Sequence, residues 1–422
     1  MSSSTVPSAA AATPDLVDYD MIANILTLRY NPFRSPPKKP LAASDFYPVS
    51  SAGGSKKSVE SQILEIIKGD LGRVKERKVS VLLSGGVDSV LTLAMLRKFR
   101  PDISVSCVSM GFGEDDDEVS AARNTATTYG CDFDGVVLDD VLSGLPRLIK
   151  IAREPRWNLY QAYAFEACRE KTIFSGDGGD ELFAGYTFRY QKYLSLLPAI
   201  KPAGWKEKAR LYLSCHERDW VPDQEKVFGP KVMFSWGKIY MLLKHYFSSS
   251  SRLDPLNQVF LADWNGKLLF DWLPANLAFS KSFGIKIRTL FLSSRMIKFA
   301  THLPWDVKYD PEHATGKLPL RAILKAQRLY TEPVKKGFSA NTISLWKKRG
   351  KEIAKQYVNR QDSEVIRAGV ISGDWVQKTT EKLLEQGAEP DVRYVNKMLG
   401  LLALEVWWRL FISHNLRGNE KL

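Results

Sequence analysis

This 422-residue chain has few residues of the kinds that build metal centres or disulfide frameworks. Its four cysteines (Cys107, Cys131, Cys168 and Cys215) include no CxxC pair, and their spacing matches neither a zinc site nor a disulfide framework. The five histidines are scattered, which argues against a histidine-based metal site. We therefore expect the cysteines to be reduced and the protein to be cytoplasmic.

The sequence also has little that would export it or anchor it in a bilayer. The opening MSSSTVPSAAAATPD lacks the basic and apolar regions of a secretory signal, and we expect a disordered tail there. The longest apolar run, LGLLALEVWWRLFI, contains Glu405 and Arg409. At about 14 residues it is shorter than the ~20 that span a membrane. We therefore predict a buried helix in this run and no membrane contact.

Acidic residues are outnumbered, with 47 Asp and Glu against 60 Lys and Arg and a net charge of +13. A polyanionic partner or a phosphate-rich substrate would explain this balance, and so would an ordinary basic protein, because the charge is spread along the chain. The run WKKRGKEIAK favours a solvated helix face over a nucleic-acid surface. RNA is therefore not the partner that we expect.

Strand-like and helix-like runs alternate in the first half of the chain. The strand-like runs are KVSVLL, ISVSCVSMGF, FDGVVLD and KTIFSG, each nearly continuous in apolar residues. Buried apolar strands that alternate with helices predict an α/β fold with a parallel sheet flanked by helices on both faces. Beyond about residue 187 the apolar runs have helical spacing, so we predict a largely helical C-terminal half.

These changes of pattern suggest a domain organisation. Residues 1–57 are expected to be a tail and linker, because proline, serine and glycine dominate after residue 30. The folded domain is predicted over 58–411, with an α/β part at about 58–187 and a helical part at about 188–411. Residues 412–422 are expected to be a short tail.

A short glycine-rich segment follows the first predicted strand, in VSVLLSGGVDSVLTLAML, and we call it the first knot. It contains neither GxxxxGK[ST] nor GxGxxG, so a standard P-loop and a dinucleotide fold gain no support. Gly85 and Gly86 permit close backbone approach, Ser84 and Ser89 offer hydroxyls, and the next helix offers N–H groups to phosphate oxygens. Asp88 would repel bare phosphate but suits a Mg²⁺ ion bound to it. A Gly-Gly turn with an Asp helix cap is the alternative interpretation.

A second knot, FSGDGGDELFAGY, follows the fourth predicted strand. Its carboxylates Asp177, Asp180 and Glu181 lie within five positions of one another, beside three glycines. Carboxylates this close repel one another unless they share a cation. A solvated acidic turn is the alternative, but two such knots at the ends of parallel strands favour a shared site for phosphate and Mg²⁺.

These segments carry a family resemblance. LLSGGVDS resembles the PP-loop of the ATP pyrophosphatases, and SGDGGDELFAGY is similar to the second hallmark of the asparagine synthetases. MGFGEDDDEVSAARNTATTYG resembles the family's adenine-contacting strand end and next helix, IKIRTLFLSSRMIKFATHLPWDVK its helical segment, and PVKKGFSAN its basic loop. The resemblance covers about 58–411 in the family's order. It implies the PP-loop, adenine nucleotide α hydrolase-like fold, with ATP and Mg²⁺ as cofactors.

The resemblance also implies a set of ATP-binding residues at the strand ends. These are Leu82, Ser84, Gly85, Gly86, Val87, Asp88, Ser89, Met110, Ser175, Gly176 and Asp177. The backbone at Leu82 and Met110 would receive adenine, residues 84–89 would hold the pyrophosphate of ATP, and residues 175–177 would line the nucleotide site.

The metal and one catalytic position follow from the same resemblance. Asp88 and Asp180 would share Mg²⁺. Lys335, with Lys336 as the alternative, would approach the α-phosphate and neutralise charge as pyrophosphate leaves. Displacement at phosphorus depends mainly on such positioning and cation stabilisation.

The activity implied is that of an ATP-dependent amide-forming ligase. A substrate carboxylate attacks the α-phosphate to give an acyl-adenylate, and ammonia or an amine then displaces AMP. The acid would be aspartate or an analogue. Glutamine-using members begin with an amidotransferase domain and its N-terminal cysteine, whereas the first cysteine here is Cys107 and ANILTLRYNPF resembles the junction between the two halves. Nitrogen would then come from free ammonia, a separate glutaminase subunit or an amine on the substrate.

One departure from the family puts asparagine as the product in question. The family reads Leu-Glu-x-Arg-x-Pro-Phe-Leu-Asp, and this chain reads IKIRTLFLS, with Arg288 kept and Lys286 in place of the glutamate. An ammonium there would disfavour an incoming ammonium and favour an anionic substrate group. Lys286 and Arg288 are therefore catalytic candidates, and a surface Lys286 in a shifted alignment is the alternative.

A tRNA-modifying PP-loop enzyme and a non-catalytic nucleotide-binding relative are the other functions left open.

Overall fold

A five-stranded parallel sheet forms the centre of the protein. The computed structural model describes residues 17–49, 58–113, 117–200, 204–248, 253–327, 341–385 and 389–422. The strands are β1 (Lys78–Leu82), β2 (Ser104–Gly111), β3 (Asp132–Val137), β4 (Thr172–Ser175) and β5 (Lys286–Thr289), and their order across the sheet is β3-β2-β1-β4-β5. A short antiparallel pair, β6 (Tyr309–Asp310) and β7 (Thr315–Gly316), lies outside this sheet.

The first four strands confirm the predicted parallel sheet. All residues of β2 after the first are buried, as is every residue of β4. Strands covered on both faces need apolar residues in succession, which is the pattern that identified them in the sequence.

The fifth strand differs from what the resemblance predicted. The segment IKIRTLFLSSRMIKFATHLPWDVK was expected to be helical, but its residues 286–289 pair with β4 from Thr172↔Lys286 to Ser175↔Thr289. This edge strand is only partly buried and alternates polar and apolar residues, so no continuous apolar run marks it. The helix of this segment begins at Ser294.

The described residues contain twenty α-helices. They are α1 (Tyr19–Leu28), α2 (Val59–Leu71), α3 (Val87–Phe99), α4 (Asp117–Thr128), α5 (Leu145–Ala152), α6 (Gln161–Glu166), α7 (Gly179–Leu182), α8 (Thr187–Leu196), α9 (Trp205–Ser214), α10 (Gln224–Val227), α11 (Trp236–Phe247), α12 (Pro255–Asp263), α13 (Leu273–Phe283), α14 (Ser294–Thr301), α15 (Leu318–Lys325), α16 (Thr342–Leu345), α17 (Lys351–Tyr357), α18 (Glu364–Arg367), α19 (Gly373–Leu384) and α20 (Val392–Phe411). Two π-helical segments, Trp264–Trp272 and Trp346–Gly350, join α12 to α13 and α16 to α17. Beyond residue 187 helices dominate, as predicted.

Two hydrophobic cores form around the sheet. One contains Val79 and Val81 of β1 with α2 and α3, and the other contains Ile173 of β4 with much of α20. Most of α20 is buried, which confirms the prediction for the apolar run near the end. Within the described ranges, no helix combines the length and the apolar character that crossing a bilayer requires.

The chain ends pack more closely than the expected tails. Helix α1 lies within 1–57, where a tail and linker were expected, and its residues Ile22, Ile25 and Leu26 are buried. These apolar residues have the i, i+3, i+4 spacing of a helix face, and α1 contacts α20. At the other end, the Leu422 N–H donates to the carbonyl of Ser143 at 3.1 Å. Both ends therefore contribute to the packed domain.

Candidate active site

The two glycine-rich knots lie side by side at one edge of the sheet. Strands β1 and β4 are neighbours, and the strand order reverses between them, because β2 and β3 extend to one side and β5 to the other. Ligands of open α/β sheets bind at the carboxyl ends of strands at such a switch point. Leu82 ends β1 and Met110 lies one residue before the end of β2, so the two predicted adenine contacts share this edge.

The first knot forms a compact loop that leads into α3. The Ser84 N–H donates to Ser89 Oγ at 3.0 Å, and Ser89 Oγ lies 2.8 Å from the Ser84 carbonyl oxygen. Gly86 precedes α3 and Val87 is its first residue. No side chain in the described residues caps α3, so the N–H groups of its first turn, which have no partner within the helix, are left for a ligand. The loop therefore has the form of an anion-binding site.

The second knot fixes Asp177 at the end of β4. The indole N–H of Trp272 donates to Asp177 Oδ1 at 2.7 Å. The Ser175 hydroxyl and the Asn276 amide donate to the other oxygen at 2.9 and 3.0 Å. Burial raises the pKa of Asp177 from its ordinary value, against these three hydrogen bonds. The Thr289 hydroxyl also donates to the Asp177 carbonyl at 2.8 Å, so the end of β5 supports this loop.

The two knots touch through glycines. A Cβ atom on Gly176 would lie 2.9 Å from the Asp88 Cβ, and one on Gly179 would lie 2.4 Å from the Asp88 Cγ. A side chain at either glycine would therefore displace the Asp88 carboxylate. This close approach brings residues of the two predicted strand-end sites into one site.

Lys317 lies between the two predicted metal ligands. Its Nζ is 2.5 Å from Asp88 Oδ2 and 2.5 Å from Asp180 Oδ1, and the residue is only 3% exposed. Burial alone would lower its pKa, but the carboxylates of Asp180 and Asp88 together raise the pKa of Lys317 well above its usual value. A Cβ on Gly185 would lie 2.6 Å from the Lys317 Cε, so this glycine leaves room for the lysine stem. The ammonium therefore offsets one of the two negative charges of the acidic pair.

Sequence reasoning did not identify Lys317. The residue precedes α15 with a φ of +59°, a conformation that few non-glycine residues adopt, and its N–H donates to the Phe183 carbonyl at 2.8 Å. It follows β7 and lies far along the chain from both knots. Its nearest local signal is the sequence GKLP, which resembles an ordinary turn before a helix.

The acidic pair fits Mg²⁺. Oxygen ligands from one or two carboxylates, completed by substrate phosphates, are the usual donors to this ion. Asp88 and Asp180 bracket a single cation position beside the first knot. Within the described ranges no cluster of three or more His, Cys, Asp or Glu residues could hold a metal by itself, so phosphate oxygens would have to complete the shell.

Glu181, the third carboxylate of the second knot, turns into the protein. It is 5% exposed, and the Tyr186 hydroxyl donates to its Oε1 at 2.7 Å. Burial, and next the negative charge of Asp180, raise the pKa of Glu181 to about 8. The side chain is therefore a protonated structural group at neutral pH.

We expect Glu181 to make stability fall as pH rises. Between its ordinary value of 4.5 and about 8, the folded protein holds a proton that the unfolded chain has released. Rising pH therefore favours unfolding, by up to ~1.4 kcal/mol per pH unit. Glu181→Gln mimics the neutral form and should remove this slope, so the difference in unfolding free energy between variant and wild type should grow from pH 5 to pH 8. Urea unfolding across this range measures it, and parallel curves for the two proteins would contradict the assignment.

Lys286 and Arg288, the two catalytic candidates on β5, both lie beside Glu76. Lys286 Nζ lies 3.1 Å and Arg288 Nη2 3.2 Å from the carboxylate of Glu76, two residues before β1. Desolvation by burial alone would raise the pKa of Glu76. Hydrogen bonds from its own backbone N–H, from Lys286 and from Arg288 outweigh this effect and lower the pKa of Glu76 to about 2. Lys286 begins β5, about 10 Å along the strand from the carboxyl end. The structure thus brings these two residues to Glu76 and not to the knots. Lys335 and Lys336 lie outside the described residues.

Comparison with known proteins finds asparagine synthetases among the curated relatives of this chain. The chain is 27% identical over 281 residues to asparagine synthetase [glutamine-hydrolyzing] 1 of Bacillus subtilis, covering 58% of this chain and 43% of the relative. It is 22% identical over 378 residues to a putative asparagine synthetase [glutamine-hydrolyzing] of Mycobacterium bovis, covering 80% of this chain and 55% of the relative. The chain thus spans about half the length of these curated relatives.

A solved structure and a family profile complete the comparison. The structure of a U34-tRNA thiolase from Methanococcus maripaludis aligns with 76% of this chain and 78% of its own, at 11% identity and a TM-score of 0.27. The sequence profile of the asparagine synthase family matches residues 69–409. This match includes β1 to β5 and both knots. The chain belongs to the asparagine synthase family.

Proposed function

We propose that the chain uses ATP to activate a small carboxylic acid and transfers the acyl group to ammonia or an amine. The observation that carries this proposal is the convergence of Asp88 and Asp180, from adjacent strand-end loops, on one cation position. Membership of the family supports the same chemistry.

In the proposed reaction a carboxylate oxygen attacks the α-phosphorus, the bond to pyrophosphate breaks, and an acyl-adenylate forms. The amine nitrogen then attacks the acyl carbon, AMP leaves, and the amine loses a proton. Residues 84–89 would hold the pyrophosphate group through backbone N–H groups and hydroxyls. Mg²⁺, when bound by Asp88 and Asp180, would neutralise phosphate charge. Lys317, which competes with the ion for this position, would move aside when Mg²⁺ binds and supply further positive charge beside the leaving group, and Lys335 or Lys336 would do so at the α-phosphate.

The nitrogen source and the identity of the acid belong to the same proposal. Aspartate or an analogue is the acid that we propose, and free ammonia, a separate glutaminase subunit or an amine on the substrate would supply the nitrogen.

Pyrophosphate release from MgATP tests the proposal. Aspartate and a panel of other small acids are supplied one at a time, with and without ammonia, and AMP and the amide are measured alongside pyrophosphate. We expect at least one acid to raise the release at least tenfold above the acid-free rate. Bound ATP with no release for any acid, in the presence of ammonia or amines, would contradict a ligase and leave the non-catalytic relative.

A further inference from the structure

Two of the four cysteines meet between β2 and β3. Cys107 is a fully buried residue of β2, and Cys131 is the partly exposed residue immediately before β3. Because Ser106 pairs with Asp132, the first residue of β3, the parallel register brings the two cysteines close together, and their thiols form a hydrogen bond. The pair lies at the amino end of β3, away from the two knots at the carboxyl ends of β1 and β4.

The two thiols are not equivalent. The hydrogen bond from the Cys107 thiol lowers the pKa of Cys131 against the opposing effect of burial, and the positive charge of Arg97 lowers this pKa further. The charge of Asp132 opposes these effects weakly. Arg97 is fixed in place, because its guanidinium donates to the carbonyl of Ile103 at 3.3 Å, one residue before β2. The thiol hydrogen bond, and next burial, raise the pKa of Cys107, so Cys131 is the thiol that ionises first.

The other two cysteines have a different environment. Cys168 is also partly exposed, but its thiol donates to the Ala164 carbonyl at 3.2 Å and burial raises its pKa to about 12. Cys215 is buried, and burial raises its pKa to about 11. The thiolate is the nucleophile in cysteine chemistry, so these two thiols are expected to be inert. A partly exposed thiol near a cation, with a second thiol in contact, is instead the arrangement of a reversibly oxidised cysteine.

We propose that Cys131 and Cys107 are a site of reversible oxidation by peroxides, which closes into a disulfide. The Cys131 thiolate attacks one oxygen of hydrogen peroxide, the O–O bond breaks, and Cys131 becomes a sulfenic acid while hydroxide leaves and takes up the proton that the thiol released. The Cys107 sulfur then attacks the Cys131 sulfur, the S–O bond breaks, and water leaves with the Cys107 proton. Two thiols are thereby oxidised to one disulfide, and one peroxide is reduced to two water molecules.

The bridge requires movement of the turn before β3. In a disulfide the two sulfurs are ~2.05 Å apart, closer than in two hydrogen-bonded thiols, so Cys131 must move toward Cys107. The Cys131 thiol gives up its 3.5 Å hydrogen bond to the Tyr129 carbonyl in this movement. The ladder of β2 and β3 begins at Ser106↔Asp132, and Cys131 lies outside it. The bridge can therefore form while the two strands stay paired.

Thiol counting and peptide mapping after peroxide treatment test the site. The reduced full-length chain is treated with hydrogen peroxide, quenched with catalase, alkylated in denaturant and digested with trypsin without reduction. Trypsin cleaves after Arg123, between the two cysteines, so a bridge appears as a linked pair of peptides. We expect that linked pair, with two of the four thiols lost and then restored by dithiothreitol. Four free thiols after treatment, or equal oxidation of Cys168 and Cys215, would overturn the proposal.

Single substitutions separate the roles of the two cysteines. Cys131→Ser should abolish the thiol loss, whereas Cys107→Ser should stop at a sulfenic acid on Cys131 that dimedone traps. Cys168→Ser is the matched control at a partly exposed cysteine and should leave the bridge unchanged. Thermal unfolding checks that Cys107→Ser folds, and Cys131→Ser decides the matter if it does not. Thiol loss at the wild-type rate in Cys131→Ser would overturn the assignment.

Arg97→Gln tests the electrostatic part of the proposal. Removal of this charge should slow the oxidation of Cys131 by roughly three- to tenfold near neutral pH, since the thiolate fraction falls. A rate equal to that of wild type would overturn the role of Arg97. All these measurements are independent of turnover, so a failure of the proposed ligase activity would leave them unchanged.

Discussion

Lys317→Met is expected to lower the free energy of unfolding by about 3–5 kcal/mol in Mg²⁺-free buffer. The ammonium lies 2.5 Å from both Asp88 and Asp180, and its side chain is 4% exposed. Its removal leaves two carboxylates facing one buried position without a counter-ion, and like charges at that separation repel strongly. Urea unfolding followed by circular dichroism in the presence of EDTA measures the loss.

Mg²⁺ should restore part of that loss. If Asp88 and Asp180 bind the ion, Lys317→Met removes its competitor for the position, so Mg²⁺ should stabilise the variant more than the wild type. This readout separates a cation site from an ordinary buried ion pair. Equal effects of Mg²⁺ on both proteins would contradict the metal assignment, and a variant as stable as wild type in EDTA would contradict the role of Lys317.

Lys308 offers a matched control in the same part of the chain. It is fully buried, but within the described ranges its Nζ has no hydrogen-bond acceptor and lies 5.3 Å from the Phe260 ring centroid. Burial lowers the pKa of Lys308 to about 7. Lys308→Met should therefore change stability by less than about 1 kcal/mol, or increase it, and should give no specific response to Mg²⁺.

The sequence predicted the first four strands and both knots because their signals are local. Continuous apolar runs mark strands buried on both faces, and glycines beside Ser84, Asp88 and Asp180 mark loops in which backbone must approach a ligand. Parallel pairing then brings the loops together, since consecutive carboxyl ends meet at one edge.

Lys317 and the position of Lys286 could not be predicted in this way. Lys317 reaches the site through a contact 137 residues beyond Asp180, and nothing in its local pattern distinguishes it from a surface lysine. Lys286 matched a family position by alignment, but the register of β5 against β4 decides which end of the strand it occupies. Burial of α1 depends likewise on α20, at the far end of the chain.

Asp88→Asn is expected to lower pyrophosphate release by about 10²- to 10³-fold with the acid that gives the highest rate. The substitution keeps the side-chain shape, so the close approach of Gly176 and Gly179 is preserved while one of the two charges around the cation position is lost. With Asp180 as the remaining carboxylate, the Mg²⁺ concentration for half-maximal rate should rise as well. Asp374→Asn, at a side chain that is 72% exposed, is the matched control and should stay within twofold of wild type.

Gly179→Ala separates the charge of Asp88 from its position. A Cβ there would lie 2.4 Å from the Asp88 Cγ, so the carboxylate must move while its charge is kept. If the site works by holding that carboxylate beside Asp180, Gly179→Ala should lose activity nearly as severely as Asp88→Asn, since displacements of about 1 Å cost on the order of 10²-fold. Wild-type rates in Gly179→Ala, combined with a large loss in Asp88→Asn, would mean that catalysis needs the charge of Asp88 but not its exact position beside Asp180. Rates within threefold of wild type in Asp88→Asn at every Mg²⁺ concentration would remove Asp88 from the mechanism.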